Sequence, residues 1–200
     1  MTSPTTHRTP DGVPMTTATP VSAPPLARTL HRLYLARFGF AVVWALLLAL
    51  VAPHAAAVLT ALLVLYPLVD AVSVVVELRA PGSGPGARAS GIANVVLSTL
   101  AAVALGWAST ASVGAVLGVW GVWAVASGAT QLLTALSRRR TGGQWPVAAS
   151  GGLSVLVGFA FLAQGLQGAT SAASLAGYAV VGGVLFLVSA LRLARTARAA

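Results

Sequence analysis

Asp70 is the carboxylate most in need of explanation, because nearly everything around it is apolar. It lies nine positions before Arg79, within a stretch that reads as one membrane span, Ala57–Val76. At the helical rise per residue this places it up to about 13 Å inside the boundary of the membrane. An ionised carboxylate at that depth costs roughly 2.5–3.5 kcal/mol on insertion scales, so it needs a partner or a proton. Ser73 and Glu77 follow at helical spacing and share its face. If the chain turns near Pro53–Ala56, Asp70 is level with Gly39, and Arg37 lies within one turn of it and near Glu77.

Two chemistries follow from this constellation of Asp70, Arg37, Glu77 and Ser73. One is an Arg37–Asp70 ion pair that fixes the register of the first two helices, a device better attested for specificity than for stability. The other is a protonatable carboxylate facing a polar path, with Asn94, Ser98, Thr99, Gln131 and Thr134 as its lining. Pro67, about one turn before Asp70, cannot donate a backbone hydrogen bond and should kink its helix, freeing the Leu63 carbonyl. Glu77 with Arg79 reads as an interfacial charge cluster. His54, beside Pro53, reads as a solvated loop histidine.

Other chemistries are excluded by residue type. The chain has no cysteine, so disulfides and thiolate metal sites are ruled out. His7, His31 and His54 are scattered without metal-ligand spacing. Ser150-Gly151-Gly152 lacks the flanking pattern of a nucleophile elbow, and without lysine there is no phosphate-cradling G-x-x-x-x-G-K loop. No catalytic, cofactor or metal-binding residue is therefore expected, and the protein reads as non-enzymatic.

The elements that must position Asp70 are long and apolar. The chain is 57% hydrophobic and only 8% charged, too little charge to cover a soluble domain. Six stretches satisfy the length of a membrane helix: Phe38–Val51, extended inward by Leu33–Arg37, then Ala57–Val76, Ile92–Trp107, Val113–Leu136, Val147–Ala163 and Ala172–Leu191. Helices are required, since unpaired backbone groups are not tolerated in lipid. All 12 basic residues are arginines, and they fall before the first stretch or at its start, in alternate connections and after the last. By the positive-inside rule this predicts both termini in the cytoplasm. The net charge of +9 is clustered at helix ends, which argues against nucleic acid and for anionic lipid headgroups as the partner.

The expected fold class is thus an all-α polytopic membrane protein of six transmembrane helices. Residues 1–28 form a Pro/Thr-rich tail that cannot bury enough apolar surface to order itself. Residues 29–195 form the membrane domain and 196–200 a short cytoplasmic tail. Gly39 to Asp70 and Gly151 to Gly182 both span 31 positions, the middle unit from Gly91 to Gly128 is longer at 37, and the odd helices open with Phe38-Gly39, Ser90-Gly91 and Ser150-Gly151. This predicts three helical hairpins related as parallel repeats. Gly114, Gly118, Gly128 and Gly182 mark close helix packing within the chain; a second copy, forming a homo-oligomer, is the alternative occupant of such seams. Trp107 and Trp145 are placed as interfacial anchors, and Trp120 and Trp123 as packing. The triplet Arg138–Arg140 reads as a helix stop facing lipid headgroups.

The run from Gly118 through Trp120, Gly121, Trp123, Ser127, Gly128 and Gln131 to Arg138-Arg139-Arg140 resembles the HdeD-type acid-resistance membrane proteins. Gly177-Tyr178 to Gly182, running on to Arg192, echoes it, as do the Ser-Gly openings. The resemblance covers roughly residues 33–195. It implies a multi-pass protein of a bacterial plasma membrane, with a role in envelope or acid-stress tolerance, and supplies no catalytic residues. The contrasting expectation is a small proton-linked transporter or channel with Asp70 as its titrating group.

Overall fold

A computed structural model describes residues 25–51, 54–80, 85–139 and 144–199. They form six helices: α1 Pro25–Leu50, α2 Ala56–Arg79, α3 Pro85–Ala111, α4 Val113–Ser137, α5 Gln144–Leu166 and α6 Ala173–Ala199. Each is long and apolar enough to cross a membrane. The chain is a polytopic membrane protein, all-helical among the described residues, in which every spanning segment satisfies its own backbone.

Local chemistry sets the helix ends. Pro25 and Pro85 open α1 and α3, where a missing N–H is no loss. Ser112 alone separates α3 from α4, and its side chain accepts from the Ala115 N–H at 3.0 Å, capping α4. Gly168 takes a φ of 72° in the turn after α5, a conformation that favours glycine. α2 runs unbroken through Pro67. Next to the Leu63 carbonyl that Pro67 leaves free, Trp44 Nε1 donates to the carbonyl of Leu62 at 2.7 Å.

Two boundaries differ from expectation. α1 begins at Pro25, so residues 25–28 belong to the helix rather than to the tail. Leu26 and Leu30 are buried there, which gives that first turn a tertiary reason to order. α6 likewise continues to Ala199 instead of ending near Leu191. The rest of the expected N-terminal tail lies outside the described residues.

Each helix packs on its sequence neighbours, and α6 packs back on α1, so the six form a closed ring. Neighbours run antiparallel throughout. Asp70 meets Ser98 while Thr60 meets Ser109 between α2 and α3. Ser90 meets Thr134 while Ser98 meets Trp123 between α3 and α4. His31 meets the Ala190 carbonyl while Gly183 meets Ala41 between α1 and α6. The ring therefore gathers Arg28, Arg32, Arg79, Arg88, Arg138, Arg139, Arg192 and Arg195 at one end.

The expected grouping into three hairpins is not how the ring divides. The closest packing is α4 on α5 and α1 on α6, followed by α2 on α3 and α3 on α4. The supposed hairpin partners α1 with α2, and α5 with α6, touch least. The reason for the tight α4–α5 seam is glycine. A Cβ on Gly121 would lie 2.7 Å from the Gly158 carbonyl oxygen, and one on Gly128 would lie 2.7 Å from that of Gly151. A Cβ on Gly165 would lie 2.7 Å from the Gly114 carbonyl oxygen and 3.1 Å from the Gly118 nitrogen. Gly114, Gly121 and Gly128 recur at heptad spacing, and Gly165, Gly158 and Gly151 answer them in reverse. A seven-residue repeat keeps one face toward the partner along the whole crossing, as in a left-handed coiled coil.

The ring's interior holds two packed clusters and a cavity. Toward the end without arginines lies a core that includes Trp44, Leu63, Leu105, Leu117, Trp120, Phe161 and Leu175. Toward the arginine-rich end, Leu26, Leu30 and Tyr34 pack with Ala80, Ala135, Val147, Phe186 and Leu193. Trp107 and Trp145, 71% and 70% exposed, sit at opposite ends, as interfacial anchors do.

Candidate functional site

Between the two cores lies a cavity of about 70 Å³ to which all six helices contribute. One water centre needs about 10–15 Å³, so the space suits a few waters or one small solute. Its wall toward the arginine-free end is aromatic. The Tyr66 ring stands against Trp44, Trp120 and Trp123 with centroids 4.7, 5.3 and 5.9 Å away, and Tyr66 and Trp123 line the cavity. Toward the other end Tyr34 and Phe186 line it, their rings 5.6 Å apart, and the lining runs on to Ala87, Arg138 and Gln144.

Asp70 sits in the cavity wall and meets Arg37 in an ion pair. Its other oxygen accepts from Asn94 Nδ2 at 2.7 Å and Ser98 Oγ at 2.9 Å. The network continues on α4. Trp123 Nε1 donates to Ser98 Oγ at 3.0 Å, and Thr130 Oγ1 donates to Asn94 Oδ1 at 2.7 Å. Three helices thus meet at one carboxylate, and α4 joins through Ser98 and Asn94. The Arg37 guanidinium also lies 4.2 Å from the centre of the Phe186 ring, a cation–π contact that ties α1 to α6.

A second ion pair lies nearer the arginine-rich end. Arg138 Nη1 donates to Glu77 Oε2 at 2.7 Å, and both residues line the cavity. This corrects two expectations. Glu77 faces inward while Arg79 is exposed, so the two do not form a surface cluster. Arg138 is buried and is no lipid-facing stop; Arg139 is exposed, and Arg140 lies outside the described residues. A buried carboxylate draws in the arginine that the ring closure brings level with it.

Of the remaining expected site residues, Ser73 turns back to its own helix, donating to the Val69 carbonyl at 2.7 Å. It is buried but does not line the cavity. Asn94, Gln131 and Thr134 line it. Ser98 joins through Asp70, whereas Thr99 is exposed and donates to the Val95 carbonyl. Gly182 lines the cavity and a Cβ there would meet nothing within 4 Å, so it is not a packing glycine. Sequence reasoning missed Tyr34, Ser154 and Tyr178. Ser154 Oγ and Tyr178 Oη are 2.9 Å apart across the cavity wall between α5 and α6. A one-turn echo of Ser150 at Ser154 was the available signal.

Among the described residues no three His, Cys, Asp or Glu side chains gather as a metal site requires. The cavity instead offers two balanced charge pairs, hydroxyls, amides and aromatic faces, a set suited to holding a small polar molecule away from lipid. No family model, curated protein or solved structure matches this chain.

Proposed function

We propose that this integral membrane protein is a non-enzymatic facilitator, moving a small polar solute through the chamber around Asp70. The observation that carries this reading is a polar cavity lined from all six of the spanning helices. Polar groups inside a membrane are costly, and a bundle built only for stability has no use for open space between them. Asp70 faces three hydrogen-bond donors, the surroundings of an acceptor-only carboxylate. That favours a fixed wall of the chamber over a shuttle that must give up its partners at each proton transfer.

The setting we propose has two sources: the resemblance to HdeD-type proteins implies a bacterial plasma membrane and a task in envelope or acid-stress tolerance, and the arginine asymmetry puts both termini in the cytoplasm. Anionic headgroups would meet the arginine-rich end. The test is solute flux in liposomes holding the purified protein, with Gly182→Val beside wild type. Gly182 has room for the added side chain, which would occupy the chamber. Flux present in wild type and lost in the folded variant supports the reading; equal flux in both, or none in either, removes it.

A further inference from the structure

We infer that the chamber selects small uncharged hydrogen-bonding solutes, of the triol or urea kind, and rejects ions of either sign. The inference rests on the transport reading and adds its substrate class. It begins from charge balance. The charged side chains lining the chamber are Arg37, Arg138, Asp70 and Glu77, and they are matched in Arg37–Asp70 and Arg138–Glu77. An incoming ion would find no uncommitted counter-charge in a low-dielectric space, so its lost hydration would go uncompensated.

A zwitterion fares little better. To use both of its poles it must open a pair that is already tied down elsewhere. Asp70 would leave Asn94 and Ser98, and Arg37 would leave the Phe186 ring. An uncharged solute needs none of this. Hydroxyl groups donate and accept by turning, and the wall supplies them at Ser154, Tyr178 and Thr134, with Gln131 offering an amide. The Ser154–Tyr178 contact, hydroxyl to hydroxyl at 2.9 Å, can exchange partners without stranding a charge. The aromatic faces of Tyr66 and Trp123 suit the carbon skeleton of a polyol or the plane of an amide. Size agrees: replacing a few waters admits a solute of about four to six non-hydrogen atoms.

Light scattering from proteoliposomes under imposed gradients tests this with glycerol, urea, glycine, potassium and chloride. Wild type is expected to equilibrate glycerol or urea at least about tenfold faster than empty liposomes, with no acceleration for the other three. Asp70→Asn leaves Arg37 without its counter-charge, and a chamber of one sign concentrates the opposite ion. Chloride flux should then rise about tenfold or more, while potassium stays excluded. Glu77→Gln makes the same change at the second pair and serves if Asp70→Asn does not fold. Ion or glycine flux in wild type matching that of glycerol and urea would overturn the selectivity and leave transport standing. Absence of flux for every solute would overturn both. Unchanged chloride exclusion in the folded charge variants would show that charge balance is not the filter.

Discussion

Asp70 accepts from Arg37, Asn94 and Ser98, and these partners differ in what their loss would do. Asp70→Ala strands a buried guanidinium, which typically costs about 3–5 kcal/mol, so a steep fall in thermal stability in detergent is expected. The double variant Arg37→Ala/Asp70→Ala should recover part of it, because no charge is left unpaired. A double variant no more stable than Asp70→Ala would count against the pair as the source of the loss. Thr130→Val is a smaller lesion. It leaves Asn94 Oδ1 without the hydroxyl now 2.7 Å away, for about 1–3 kcal/mol, unless the amide flips and frees Asp70. Denaturation midpoints read the size directly. The Arg37–Asp70 contact was legible from depth counting along two apolar runs. The Glu77–Arg138 contact was not, because an arginine triplet after a span looks like an anchor until the ring shows which member turns inward.

At the scale of elements, the α4–α5 seam is the clearest sequence-to-structure link, and only half of it could be read in advance. The Gly114-x-x-x-Gly118 spacing drew attention to a four-residue motif. The working repeat is of seven, and it is visible only when both helices are read together in opposite directions. Gly121→Ala or Gly128→Ala places a methyl 2.7 Å from a facing backbone oxygen, which cannot yield as a side-chain tip would. A loss of about 1–3 kcal/mol is expected for each. Gly182→Ala, facing open space, should hold stability or raise it by up to about 1 kcal/mol through helix propensity. Thermal unfolding of the variants side by side decides between them; a Gly182→Ala as damaging as Gly128→Ala would refute the assignment of the seam.

For the whole molecule, six spans were legible because length and hydropathy alone determine them. The order of tight and loose seams was not, since it depends on which side chains meet across helices. Hydrogen bonds join α2, α3 and α4 through Asp70, Asn94 and Thr130, and glycine contact joins α4 to α5. α1 and α6 pack on each other and touch this four-helix slab least closely. The α1–α6 pair should therefore move against the slab more than the slab's own helices move against one another. The chain has no cysteine of its own, so spin labels can be placed cleanly. Labels at Leu35→Cys and Ala89→Cys should give a broader distance distribution than labels at Ala89→Cys and Trp145→Cys. Equal widths would mean that the ring moves as one body.

Closure of the ring through α6 and α1 has a consequence for gene architecture. The end of α6 and the start of α1 are neighbours at the same face, so the covalent break in the circle is interchangeable with any of the connections on that face. A permuted chain that joins α6 to α1 through a linker and begins at α5 would keep every helix in its present direction. The seam it cuts open, α4 with α5, is the one whose backbones already hold each other without a connecting loop.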